Sequence, residues 1–267
     1  LKRFTRRAPS REDAAMKLAI PSLAIAALAM LAACDDPPNK LGALIDAGAA
    51  SSAQPATTPT PPEAPKPPSI AIAPGEYVVN AEHILVSDPD VVGRLVANLT
   101  GKPLVEGAIV PFDAPRAVKP SQVVAMLQAL QKAKAKGALA RTENRDKVVV
   151  PLALSFSTAG APPCTPVALI TKESRISVWT MGGQVAHTFT KGFAGPDMTL
   201  GTEQVRTNAS HCDSPYLVVA GDEAMIWGLV YDLATMSMVA PSGTTSKTTQ
   251  VVVAPATIVP GRKVTLE

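Results

Sequence analysis

Aromatic residues are scarce, with two Trp, three Tyr and five Phe in 267 residues, so Val, Ala and Leu must carry most of any core. Several catalytic signatures are missing as well. No G-x-S-x-G elbow occurs, and no H-E-x-x-H helix, so neither of those serine- or zinc-hydrolase patterns is available. Thr180-Met181-Gly182-Gly183 lacks the lysine of a phosphate loop and reads as a hairpin turn. Cysteine is limited to three residues, Cys34, Cys164 and Cys212.

The longest apolar run, residues 18 to 30, follows Lys17 and is too short to span a bilayer comfortably. It leads through Leu31-Ala32-Ala33 to Cys34 and then Asp35-Asp36-Pro37-Pro38. A positive start, an apolar centre and small residues before a cysteine form an export signal. The stretch resembles the bacterial lipoprotein signal family, with Leu31-Ala32-Ala33-Cys34 as its lipobox. That resemblance implies cleavage between Ala33 and Cys34 and a diacylglyceryl group on the Cys34 thiol. The competing readings are a signal peptide without lipid and a short buried helix. Residues 1–15 are expected to be a start-site artefact upstream of Met16, and residues 16–33 the signal peptide.

The basic balance belongs to this leader. Over the whole chain 25 basic residues oppose 22 acidic ones, but after residue 33 the count is 19 against 20. No basic patch then argues for nucleic acid.

Residues 34–73 read as a disordered Pro/Ala-rich linker. Pro55 to Pro68 holds seven prolines in fourteen residues. Proline fixes φ and removes the backbone donor, which favours stiff, solvated polyproline II. At ~3.1 Å per residue that stretch reaches roughly 40 Å, enough to lift a domain off a membrane.

The folded part is expected over residues 74–160 and 161–267, two α+β halves of mixed sheet with packed helices. In the first half Tyr77–Val79, Ala108–Phe112 and Val148–Phe156 read as strands, with Pro151 marking an edge or a bulge. Pro89–Leu99 reads as a short helix. Pro120–Lys136 is the clearest helix, with proline in its first turn, an apolar face of Val123, Val124, Leu127 and Leu130, and Gly137 as its stop.

In the second half Val167–Ile170, Arg175–Thr180, Gln184–Phe189, Tyr216–Ala220 and Gln250–Val259 read as strands. Asp222 is expected to cap a helix from Glu223 to about Met236. Ala108–Phe156 and Tyr216–Val259 share a strand-helix-strand order, a candidate internal repeat.

Val167–Trp179 and Tyr216–Ala234 are similar to the periplasmic domain of ExbD/TolR-type proteins. The carrying residues are the strand Leu217-Val218-Val219-Ala220, the acidic Asp222, the aromatic and small pair Trp227-Gly228, and Leu229, Val230, Asp232 and Leu233. The resemblance implies an envelope binding domain accessory to a transport system. Members of that family also carry a transmembrane helix with a proton-coupling carboxylate. The apolar core of this signal has none, so the motor chemistry does not carry over.

Cys164 and Cys212 form an even pair in an exported chain and are expected to form a disulfide. The bridge would close a loop of about 49 residues. The competing arrangement is a metal site of His211 and Cys212 with Cys164 or His187, which lacks close ligand spacing. Met225, Met236 and Met238 read as core packing rather than soft copper ligands. No cofactor is implied.

The function expected is a non-catalytic, periplasm-facing lipoprotein. Its partners would be the membrane, through Cys34, and an envelope protein or peptidoglycan; the inner and outer membranes stay open. The alternatives are a hydrolase assembled from distant loops, using His187 or His211 with a carboxylate, and a metal-handling protein.

Overall fold

A computed structural model describes residues 68–102, 104–192, 195–239 and 247–266. The signal, Ala33, Cys34 and most of the linker lie outside the described residues. In chain order the first half contains β1 (Ile70–Ala73), β2 (Glu76–Val79), β3 (Glu82–Leu85), α1 (Val91–Leu99), β4 (Ile109–Asp113), α2 (Pro120–Lys132), β5 (Gly137–Glu143) and β6 (Val149–Ser155). The second contains β7 (Pro166–Ile170), β8 (Ile176–Thr180), β9 (His187–Phe189), β10 (Lys191–Gly192), β11 (Gly195–Pro196), α3 (Met198–Ser210), β12 (Tyr216–Gly221), α4 (Trp227–Met238) and β13 (Gln250–Val253).

Eleven strands form one mixed sheet in the order β3-β2-β1-β4-β5-β6-β13-β12-β7-β8-β9, and β10 pairs only with β11. The fold is therefore α+β. Its order is the same when read inward from either end. β1, β2 and β3 are an antiparallel meander; β4 joins β1 in parallel, and β5 joins β4 in parallel. β7, β8 and β9 are likewise antiparallel; β12 joins β7 and β13 joins β12, both in parallel. Each parallel pair β4/β5 and β12/β13 is bridged by one helix, as a crossover requires. The repeat thus runs from β1 to β5 and again from β7 to β13, longer than the strand-helix-strand order legible in the sequence. β6 joins the two copies, antiparallel to β5 and parallel to β13.

One continuous core packs both copies against all four helices, including Ile70, Leu95, Phe112, Leu130, Val219 and Trp227. Burying a large apolar side chain of this kind contributes roughly 1.5–3 kcal/mol. A second cluster occupies the opposite face of the second copy, where Val167, Leu169, Trp179, Val218, Ala220 and Val252 lie beneath Ile258, Val264 and Leu266.

Several element boundaries differ from the sequence reading. The linker expected to reach residue 73 gives way to β1 at Ile70. α2 ends at Lys132, because Lys134 adopts a left-handed φ of 61°, and Gly137 opens β5 rather than only stopping the helix. α4 starts at Trp227, four residues beyond its expected start. Asp222 instead caps a turn, its Oδ1 accepting from the Ala224 N–H at 2.9 Å. The strand expected over Gln250–Val259 stops at Val253. Pro151 lies opposite Arg141 of β5. On its other side β6 meets β13 only through Leu154 and Ser155, so Pro151 needs no second ladder donor.

Cys164 and Cys212 are joined in a disulfide, with Cα atoms 5.5 Å apart and a sequence separation of 48. It ties the loop before β7 to the end of α3, inside the second copy. In the chain-entropy account a loop of this size is worth about 4 kcal/mol. Cys164→Ser should lower the unfolding free energy in urea by about that amount, and reduction of the wild-type protein should have the same effect. A shift under about 1 kcal/mol in both measurements would show that the bridge does not constrain the unfolded chain.

Candidate functional site

The site grows from two loops that the repeat makes equivalent, one joining β4 to α2 and the other β12 to α4. A helix start leaves its first backbone N–H groups without intrahelical partners. Ile226, at the cap position of α4, has no side-chain acceptor to offer. The missing acceptors come from the other copy: Trp227 N–H donates to the Val118 carbonyl at 2.7 Å, and Gly228 N–H to the Arg116 carbonyl at 2.9 Å. In return the β12–α4 loop sends Glu223 to the first turn of α2, where Ser121 donates to its carboxylate at 2.7 Å. A carboxylate there also favours the positive end of the α2 dipole. Burial, with Glu223 as the lesser cause, pushes the neighbouring Tyr77 phenol up to about 12.

Gly228 is required at this junction. A Cβ there would stand 2.8 Å from Arg116 Cβ and 2.9 Å from its Nε. Trp227 fills the space behind it, fully buried, its indole N–H donating to Thr142 Oγ1 at 2.8 Å. Thr142 donates in turn to the Ala114 carbonyl at 2.9 Å.

The approach of Arg116 to α4 delivers its guanidinium to Asp232. The contact is bidentate, at 2.8 Å to Oδ1 and 2.7 Å to Oδ2. Arg145 Nε donates to the same Oδ2 at 2.9 Å, and Arg116 also reaches the Glu143 carbonyl at 3.1 Å. The Asp232 side chain is only 6% exposed. Burial alone would raise its pKa, but the hydrogen bonds from Arg116 and Arg145 outweigh that and hold the carboxyl below its ordinary range. The same contact raises the Arg116 guanidinium above its ordinary value.

Beside this node lies a cleft of ≈ 410 Å³, lined by Asp113, Pro115, Arg116, Arg141, Glu143 and Val149 among others. It opens onto the helix-free face of β1–β6. On that face Ala71, Asp113, Arg141 and Pro151 form one row, and Pro111, Leu139 and Ala153 the next. Ile109 and Val149 are 60% and 54% exposed. A second cleft of ≈ 340 Å³, between α2 and the ends of β6 and β13, is lined by no charged side chain.

The sequence-derived candidates are distributed differently. His211 caps the end of α3, its Nδ1 2.7 Å from the Thr207 carbonyl, and His187 is an exposed residue of β9. The two cysteines are consumed in the disulfide. Among the described residues no three His, Cys, Asp or Glu side chains gather as a metal ion would require. Met225, Met236 and Met238 pack, partly buried, against the main core. No helix of the described residues is long and apolar enough to cross a membrane. Arg116, Arg145 and the β4–β6 face were not singled out in the sequence, and Asp232 appeared there only as part of a helix pattern. The one local signal for the face is the alternation of β5, where Ala138, Ala140 and Thr142 point inward and Leu139, Arg141 and Glu143 outward.

Removing Arg116 leaves the enclosed Asp232 with only the exposed Arg145, so Arg116→Ala should cost about 1.5–3 kcal/mol in urea unfolding, the worth of a hydrogen bond to a charged group. Gly228→Ala should cost about 1–3 kcal/mol through the clash with Arg116. The pH dependence has a fixed sign. Because the folded pKa of Asp232 is lowered, its contribution is complete above the ordinary value of 3.8 and is lost as pH falls below that value through the folded pKa. Asp232→Asn should therefore be less stable than wild type at pH 7 and lose less stability between pH 5 and pH 2. Parallel losses in the two proteins over that range would remove Asp232 from the account.

Compared with family models, with curated proteins and with solved structures, the chain matches none of them.

Proposed function

We propose that this chain is a membrane-anchored, periplasm-facing lipoprotein whose folded part is a non-catalytic binding module for an envelope protein or the cell wall. The observation that carries the reading is the bare face of β1–β6, where Ile109 stands exposed at one end and Val149 lines a charged cleft at the other. Contiguous exposed apolar surface on a folded domain marks interaction sites more often than chance. Two features of the chain agree with an exported setting. Leu31-Ala32-Ala33-Cys34 supplies the lipid attachment point. The Cys164–Cys212 bridge belongs to compartments where disulfides persist. The likeness of Tyr216–Ala234 to ExbD/TolR-type periplasmic domains makes such a transport system the candidate assembly.

Cys34→Ser should move the protein from the membrane fraction to the soluble fraction of the envelope. Mild in-cell crosslinking of the lipidated protein, followed by mass spectrometry, should recover an envelope protein or peptidoglycan. Retention of Cys34→Ser in the membrane would sink the anchor, and recovery of neither partner at good crosslinking yield would sink the binding role.

A further inference from the structure

The two copies treat their helix-free faces differently. In the second copy that face is roofed by the chain's own C-terminal segment. Ile258, Val264 and Leu266 pack with the cluster of Val167, Leu169, Val218 and Ala220, in which Val167 and Val218 are fully buried. The roof is fastened through its backbone: Trp179 Nε1 donates to the Arg262 carbonyl, and Val264 N–H to the Met181 carbonyl, each at 2.9 Å. β7 and β12 of this copy occupy the places that β1 and β4 occupy in the first. There the corresponding surface, with Ala71, Ile109 and Pro111, has no roof among the described residues, and Ile109 is 60% exposed.

The charge on the bare face narrows what would cover it. Glu76, Asp113 and Glu143 project from it, against the guanidinium of Arg141 and, at the cleft, that of Arg116, which is held by Asp232. Arg141 is already paired with Asp113 at 2.7 Å. Glu76 meets only His83, and Glu143 has no basic side-chain partner among the described residues. The surface is thus apolar and net negative. The roof of the other copy has matching chemistry, with Arg262-Lys263 directly before Val264.

We infer that the bare face of β1–β6 is the docking surface for an extended segment of a partner protein. That segment carries apolar residues at alternate positions, to lie over Ile109, Leu139 and Val149, and at least one Lys or Arg to meet Glu143. Alternation follows from the pleat, which turns every second side chain of an extended chain toward the sheet. The inference rests on the binding-module reading and assigns its surface and its ligand.

The test uses the full lipidated chain in its own cells, with a photoreactive residue placed either at Ile109 or at Val185, which is 88% exposed and lies between β8 and β9. The expected result is an adduct from position 109 whose sequenced peptide belongs to another protein and has alternating apolar residues with a basic one. Glu143→Lys should lower its yield by roughly tenfold through like-charge opposition. An adduct with this chain itself, from the residues before Pro68 or from a second copy, overturns the inference. Adducts from position 185 alone also overturn it, while leaving a partner and the binding-module reading in place. Adducts from neither position overturn both.

Discussion

The fold depends on a contact between its two copies: the β4–α2 loop supplies the acceptors that the start of α4 lacks, and Glu223 of the second copy answers with a hydrogen bond from Ser121 of α2. α4 begins at Trp227 behind an isoleucine that cannot cap it, and its first N–H groups are satisfied by the carbonyls of Val118 and Arg116. An unpaired buried N–H costs about 1–3 kcal/mol, so α4 is stable at this length only when the β4–α2 loop is in place. The loop is held there because Gly228 has no side chain and because Trp227 and Thr142 complete a hydrogen-bond chain to Ala114. Gly221 extends the same constraint, since a Cβ on it would meet Val230 at 2.6 Å and Pro120 at 2.9 Å. The second copy has no complete helix start without the first, whereas α2 is closed by its own proline and Gln122.

This contact also explains why the Arg116–Asp232 pair sits where it does. Arg116 is drawn across α4 by its own carbonyl, and one helical turn beyond Gly228 the chain places Asp232 beneath the guanidinium. Enclosed pairs give little net stability against an apolar alternative, but breaking one is expensive. Its structural effect is to fix how the β4–α2 loop meets α4, and with it the mouth of the cleft. Arg145 enters from the β5–β6 turn, so two segments outside α4 converge on its one carboxylate.

Legibility in the sequence followed the origin of each signal. α2 was readable from one window because its proline, apolar stripe and terminating residues are all local. β7, β8 and β12 were readable as short apolar runs bounded by turns. α3 was missed because its buried side is Met198, Gly201, Thr202 and Val205, small residues that weaken a hydrophobic period. The reason for that choice is tertiary: a Cβ on Gly201 would come within 2.8 Å of Ile176. Its cap was visible, since Asp197 accepts from the Leu200 N–H, but no stripe followed to support it. The sequence places the start of α4 too early, at Glu223 behind Asp222, for the opposite reason: a good local cap, with the real acceptors more than a hundred residues away. The site has the same character. Arg116 and Asp232 are 116 residues apart, and nothing local distinguishes either from a surface charge.

The two topological repeats are finished unequally. An exposed Ile109 or Val149 gives up the free energy that burial would contribute, roughly 25 cal/mol per Å² of apolar surface. The second copy recovers that energy with a segment of a dozen residues after β13 and is stapled by the disulfide. The first copy has no equivalent segment after β5, because the chain turns at once into β6 and uses it to join the sheets. β6 therefore sets the asymmetry. It completes a single sheet and a single core, and it leaves one outer face without a cover from its own copy. A molecule built this way has one half committed to holding itself together, and in the other a surface whose apolar residues are stabilised only when something else lies on them.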